Sequence, residues 1–299
     1  MIAIETTKLS KSYGSTLALE GLDLSVETGE MFGFLGPNGA GKTTTIRLLL
    51  DFIRPTRGNA RIFGLDSRTD SFKIRKCISY LPGDMTLYGN MTGRQLITYL
   101  ASLRGGVDWE YVAQITARLG ADLDRSIRTL SRGNQQKIGL VQAFMCRPSL
   151  VIMDEPTSGL DPLIQQEFFQ MVADVKNEGS TVFMSSHNIA EVERICDRVG
   201  IIRNGRLVAV ESIESLKQQA LHHLELQFAS PVSMTDFARI PGIRNIWVDG
   251  NVLRCTVIGK PDQLLKAAAQ FEVVRLRANE PSLEDVFLSF YDEQDNAVS

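Results

Sequence analysis

The chain has 299 residues, 43% of them hydrophobic and 22% charged, with a formal net charge of −3. That length suits two domains, and that composition suits a water-soluble chain with an ordinary core. The small negative charge argues against nucleic acid as a partner, since no basic surface dominates. The charge is also uneven. Residues 220–299 carry 11 acidic and 7 basic side chains, whereas residues 1–219 carry 24 and 25. This break, with a change of pattern after Glu214, predicts domains at 1–215 and 216–299.

Cys77, Cys146, Cys196 and Cys255 have no paired spacing, so reduced thiols are expected rather than a disulfide frame or a zinc site. No signal-like segment is read at the start. No apolar run approaches the ~18 residues that span a bilayer, so a cytosolic or peripheral chain is expected.

In chain order, residues 2–28 alternate in places, as in Leu22-Asp23-Leu24-Ser25-Val26, which predicts half-exposed antiparallel strands. Met31–Leu35 is a short apolar strand. It runs into Gly36-Pro37-Asn38-Gly39-Ala40-Gly41-Lys42-Thr43-Thr44, and a helix is expected from Lys42 to about Phe52. Further buried strands are read at Cys77–Leu81, Leu150–Met153, Thr181–Met184 and Val199–Ile202. Residues 91–130 lack strong strands, and Gln95–Leu103 and Tyr111–Leu119 look helical. A helical insert is therefore expected at about 84–130. Asp161-Pro162 starts a helix, with Asp as N-cap and Pro in the first turn; Gly179 suits its end. Strands alternating with helices predict an α/β fold with a mostly parallel sheet.

Beyond Glu214, strands are read at Leu224–Phe228, Ile243–Val248, Val252–Ile258 and Val273–Leu276, with a tight turn at Asp249-Gly250-Asn251. Helices are read at Asp262–Ala269 and Ser282–Phe290, giving a small α+β domain with an acidic tail, Asp292–Asp295. His222-His223 is read as structural or solvated, because neighbours on a strand diverge.

Strand, glycine loop and helix in succession form a phosphate-binding loop. Bare glycines let backbone N–H groups converge on phosphate oxygens, and the helix adds its positive end. Lys42 would reach the β- and γ-phosphates of a nucleoside triphosphate, and Thr43 would offer a hydroxyl to Mg²⁺. Asp154 and Glu155 end an apolar strand, a costly place for two carboxylates unless a cation or a proton uses them. Asp154 would hold Mg²⁺, and Glu155, pointing the other way, would polarise the attacking water.

The order of motifs carries a resemblance. Gly36–Thr44, Ser131-Arg132-Gly133-Asn134-Gln135, Val151–Glu155, Ser158-Gly159-Leu160-Asp161 and His187 resemble the nucleotide-binding domain of the ATP-binding cassette (ABC) superfamily, over about residues 2–215. The family's commonest signature is Leu-Ser-Gly-Gly-Gln. Arg132 and Asn134 depart from it; Ser131 and Gly133 are retained. The resemblance implies a P-loop NTPase fold with an antiparallel β-subdomain and a helical insert. It implies that Ser131, Gly133 and Gln135 bind ATP held by a second cassette. It further implies that His187 contacts the γ-phosphate and orients Glu155, that Asp161 touches the opposite subunit near the nucleotide, and that Tyr13 stacks on adenine. The family usually has a Gln where Gly83 stands, and Asp84 is expected to supply that metal ligand instead.

The function implied is the ATPase subunit of a membrane transporter on the cytoplasmic face. It works with a separate permease and a second nucleotide-binding subunit, expected to be identical. Tyr80–Asp84, Leu130–Asn134 and the appended domain look like bacterial drug- and antibiotic-resistance exporter ATPases. The alternative is a soluble ABC ATPase for chromosome maintenance, repair or translation. Such relatives need a long coiled-coil insertion or two cassettes, whereas here one cassette is present and Lys42 and Ser131 are close in sequence.

Overall fold

The computed structural model describes residues 1–85, 87–219, 221–238, 240–258, 260–279 and 287. The chain divides into two units, Met1–Val210 and Glu211–Ser299.

In the first unit, β1 (Ile2–Tyr13), β2 (Thr16–Glu27) and β3 (Met31–Leu35) lead to α1 (Lys42–Leu49). β4 (Arg57–Ile62), β5 (Leu65–Asp66), α2 (Ser71–Cys77) and β6 (Ile78–Leu81) follow. The helical insert holds α3 (Gly93–Leu103) and α4 (Trp109–Leu119), and α5 (Arg132–Phe144) leads out of it. The unit then runs through β7 (Leu150–Asp154), α6 (Pro162–Asn177), β8 (Thr181–Ser186), α7 (Ile189–Ile195), β9 (Arg198–Arg203) and β10 (Arg206–Ser212).

Two sheets result. One is antiparallel, in the order β2-β1-β4-β5. Its alternation is real: Leu22, Leu24 and Val26 are buried while Asp23 and Ser25 are exposed. The other has the order β10-β9-β3-β8-β7-β6, and β9, β3, β8, β7 and β6 run parallel. Every residue of β3, β7 and β8 is buried, as expected for parallel strands covered on both faces. Phe32 and Phe34 pack on Phe183 with ring centroids 5.9 and 5.5 Å apart.

The insert has its own small core of Leu96, Leu123, Ile127, Leu130 and Ile138. Thr92 and Gln95 cap α3 reciprocally. Leu130 and Ile138 flank the start of α5, so packing in the insert positions Ser131–Gln135. α6 begins as expected, with Asp161 Oδ1 accepting from the Ile164 N–H at 3.1 Å.

The second unit opens with α8 (Ile213–Gln219). It continues through β11 (Leu221–Phe228), β12 (Ile243–Asp249), β13 (Val252–Ile258), α9 (Asp262–Ala268) and β14 (Val273–Asn279). Its antiparallel sheet has the order β12-β13-β11-β14. Phe228, Phe237, Leu253, Val257 and Leu264 lie in its core. Apart from Phe287, which is helical and buried, the expected helix at 282–290 and the acidic tail lie outside the described residues. So does the side chain of His222; His223 Nδ1 lies 3.1 Å from Thr256 Oγ1.

The four thiols are free. Burial raises the pKa of each, that of Cys255 to about 11, so none is activated as a thiolate. Among the described residues no helix is long and apolar enough to cross a membrane.

Candidate functional site

The loop after β3 is built for close backbone approach. Gly41 has φ of 109°, a conformation open to glycine, and it caps α1. Lys42 is 5% exposed. Its Nζ donates to the carbonyls of Gly36 and Pro37 at 2.6 and 3.2 Å and lies 3.5 Å from Glu155 Oε1. A buried ammonium that faces one carboxylate among the described residues, in a loop of glycines, is suited to a stronger anion.

Asp154, the last residue of β7, is 4% exposed. Thr43 Oγ1 donates to its Oδ2 at 2.7 Å, and the Ser185 hydroxyl donates to its Oδ1. No ion pair reaches this carboxylate among the described residues. A buried carboxylate held by hydroxyls alone, with Thr43 beside it, fits a divalent cation that completes its shell with phosphate oxygens and water. Tyr80 stands near. Burial and then the charge of Asp154 push its phenol up to about 12, so it remains a neutral wall.

Glu155 is not part of the strand. Its φ is 47°, in the left-handed region that non-glycine residues rarely occupy, and its N–H donates to Ser185 O and Oγ at 3.1 and 3.2 Å. The turn, rather than strand alternation, therefore separates Glu155 from Asp154. His187 Nδ1 lies 3.3 Å from Glu155 Oε1, the same oxygen that faces Lys42. His187, Glu155, Lys42, Thr43 and Asp154 thus form one connected set.

The signature is held differently. Ser131 is the N-cap of α5, and its Oγ accepts from the Asn134 N–H at 3.3 Å. A Cβ at Gly133 would stand 2.6 Å from the Gly159 carbonyl oxygen, so glycine is required there by the neighbouring loop. Among the described residues no hydrogen bond or ion pair joins Ser131–Gln135 to the phosphate loop. The Gln135 amide donates to the carbonyls of Ile127 and Leu130, both at 3.2 Å, bracing the segment before the helix. Asp161 is occupied in capping α6. Tyr13, at the end of β1, is half-exposed with Lys11 Nζ 5.1 Å from its ring centroid, leaving a ring surface open to solvent.

Asp84, the expected metal ligand, faces solvent beside Arg132. Its carboxylate is fully exposed and 3.5 Å from Arg132. Gly83 is the residue that abuts Asp154: a Cβ there would lie 3.1 Å from the Asp154 carbonyl oxygen. The bare backbone fits against β7, and the following side chain turns outward to the signature.

Several supporting residues escaped sequence reasoning. Ser185 anchors both Asp154 and the Glu155 backbone. Glu191 accepts from Thr157 Oγ1 at 2.6 Å and Ser186 Oγ at 2.8 Å, tying the strand before His187 to the loop after Glu155. Gln136, 3% exposed, donates to Pro156 O at 2.9 Å and links the signature helix to the same loop. The adjacent polar pair Ser185-Ser186 at the end of an apolar strand was the available signal for the first of these.

Residues 19–158 match the ABC transporter family. Over 294 residues the chain is 32% identical to the bacitracin transport ATP-binding protein of Bacillus licheniformis, covering 95% of this chain and 96% of the relative. The chain belongs to the ABC transporter family. The daunorubicin/doxorubicin resistance ATP-binding protein of Streptomyces peucetius is 31% identical over 96% of this cassette chain and 92% of its own. The Nod factor export ATP-binding protein I of Rhizobium sp. (strain N33) is 31% identical over 96% of each.

Among solved structures, an ATP-binding subunit of an ABC transporter superposes with a TM-score of 0.66 at 31% identity, covering 73% of this chain and 92% of that one. A dimeric post-hydrolysis ATP-binding cassette bound to ADP and Pi shares the fold, with a TM-score of 0.65 at 21% identity over 70% and 98%. The ABC chain described here is thus a nucleotide-binding ATPase subunit of a transporter. Its relatives place it among exporter subunits rather than soluble cassettes with other roles.

Proposed function

We propose that this subunit hydrolyses Mg²⁺-ATP only when two copies close head to tail, and that closure drives a separate membrane-embedded permease in export. The observation that carries this reading is the separation of the signature from an otherwise connected catalytic set. Ser131 and Gly133 have no phosphate loop of their own chain to act on, whereas a partner's nucleotide would meet the Ser131 hydroxyl, the Gly133 N–H and the N-terminal end of α5.

In this mechanism Tyr13 stacks on adenine and the N–H groups of Gly36–Thr44 surround the phosphates. Lys42 exchanges the carbonyls of Gly36 and Pro37 for phosphate oxygens. Thr43 and Asp154 would hold Mg²⁺, which would neutralise charge on the phosphates. Glu155 takes a proton from the attacking water, and His187, 3.3 Å away, keeps the carboxylate aimed and faces the γ-phosphate. Asp161 supports the opposite subunit near the nucleotide. ATP binds the closed state better and so shifts the population toward it; hydrolysis reverses the shift.

The permease docks beside the helical insert, which puts this chain on the cytoplasmic face of the membrane as a peripheral subunit. The transport, resistance and export systems of the relatives support export. A dimer-dependent site predicts that specific ATPase activity rises with protein concentration. Specific activity that is flat from nanomolar to micromolar protein, with the chain monomeric throughout, would reject the shared site.

A further inference from the structure

Glu191 lies in the first turn of α7, the helix that follows His187, and Asn188 is the N-cap of that helix. A glutamate at this position ordinarily reaches back to the N-cap backbone N–H, or meets the positive helix end and nothing else. Here it has other partners. The Asn188 N–H is taken by Ser186 Oγ at 2.9 Å. The Glu191 carboxylate turns toward two other segments: Oε1 accepts from Thr157 Oγ1 at 2.6 Å, and Oε2 accepts from Ser186 Oγ at 2.8 Å. Asn188 Nδ2 adds a longer bond to Oε1 at 3.4 Å. Thr157 and Ser186 are 5% and 1% exposed, so both hydroxyls are buried groups that depend on this acceptor.

The two hydroxyls belong to the two segments that carry Glu155 and His187. Ser186 immediately precedes His187, and its carbonyl accepts from the N–H of Gly36, at the start of the phosphate loop, at 3.2 Å. Thr157 lies in the turn that Glu155 begins: the Ser158 N–H donates to Glu155 O at 3.2 Å, and the Leu160 N–H to Thr157 O at 3.1 Å. One carboxylate therefore ties the turn that holds Glu155 to the strand end that holds His187. Hydrogen bonds to a charged acceptor are short and roughly twice as strong as neutral ones, which suits them to fixing a separation.

We infer that Glu191 is a positioning residue for hydrolysis. It acts on the reaction through the two segments it joins, by holding His187 Nδ1 and Glu155 Oε1 at their separation of 3.3 Å. This rests on the roles proposed above for Glu155 and His187 and adds the residue that stands behind both. A glutamate that only caps α7 would change stability and leave the pair alone. A residue that positions His187 matters to turnover only while His187 is present, which makes the two roles separable.

The test is a double-mutant cycle on the full chain. The kcat and the KM for ATP are measured for wild type, Glu191→Ala, His187→Ala and the two combined, with thermal unfolding of each. Glu191→Ala is expected to lower kcat about tenfold or more, with KM within about twofold, because a small misplacement of a reacting group is costly. In the His187→Ala background the same change is expected to alter kcat by less than about twofold. If Glu191→Ala does not fold, Thr157→Val, which keeps the shape and removes one of the two hydroxyls, carries the same cycle with a smaller loss. Equal losses in both backgrounds, or a raised KM with unchanged kcat, would overturn the positioning role. Slow turnover in His187→Ala beside wild-type turnover in Glu191→Ala overturns this inference alone. Wild-type turnover in His187→Ala removes the role proposed for His187, and this inference with it.

Discussion

The phosphate loop and the signature, both proposed to bind phosphate, are held by the fold in opposite ways. Around the loop, Lys42 and Asp154 are buried, Thr43 and Glu155 are half-buried and His187 is exposed; Thr43 bonds to Asp154, and Lys42 and His187 both face Glu155 Oε1. At the signature, Ser131 caps its own helix, Gly133 is pressed against Gly159, and Gln135 holds two carbonyls. In the proposed mechanism one region is the catalytic floor, its side chains all drawn from one chain. The other, in that mechanism, is an edge whose ligand is the partner's nucleotide. Burial makes the first sensitive to chemistry, and exposure makes the second sensitive to assembly.

The largest expected effect falls on the catalytic floor. Glu155→Gln keeps the geometry of the turn and removes the proton acceptor, so turnover should fall about 10²–10⁴-fold with ATP binding retained, as measured by single-turnover hydrolysis and nucleotide titration. Wild-type turnover in that variant would break the assignment. Thr43→Ala should come next: it removes the hydroxyl that shares Asp154, so the Mg²⁺ concentration for half-maximal rate should rise about tenfold. An unchanged Mg²⁺ dependence would move the metal site elsewhere.

At the signature, Gly133→Ala tests the edge without touching the floor. A methyl group 2.6 Å from the Gly159 oxygen has to displace backbone, which should cost about 1–3 kcal/mol in a thermal unfolding measurement. Equal stability would mean the Gly159 loop yields easily and is not a fixed part of the edge. The smallest effect is expected for Asp84→Ala. The carboxylate is fully exposed and, among the described residues, pairs with Arg132, so ATPase rate and Mg²⁺ dependence should stay within about twofold. A marked loss of Mg²⁺ affinity would restore Asp84 as a ligand.

The fold was legible where periodicity was strong. The buried runs at Met31–Leu35 and Leu150–Met153 and the alternation at Leu22–Val26 reappear as expected, as does the cap at Asp161. Short elements such as β4, α2 and α7 were not read, because six or seven residues carry too little pattern to separate them from loops.

In the site, glycine spacing and adjacent carboxylates marked the loop and the strand end. Three things were hidden. The left-handed turn at Glu155 has no residue-level signal, since glutamate is not a residue that favours it. The orientation of Asp84 is decided by Arg132, far along the chain, and by the close fit of Gly83 to β7. Gln135 looked like a ligand by its place in the signature, but its partners, Ile127 and Leu130, become acceptors only once the insert folds.

The central claim is that the signature acts on a partner's nucleotide. Sedimentation of Glu155→Gln, with and without Ser131→Arg, in Mg²⁺-ATP tests it most directly. The single variant is expected to be a dimer and the double variant an ATP-bound monomer. A double variant that still dimerises, or that no longer binds ATP as a monomer, would contradict it.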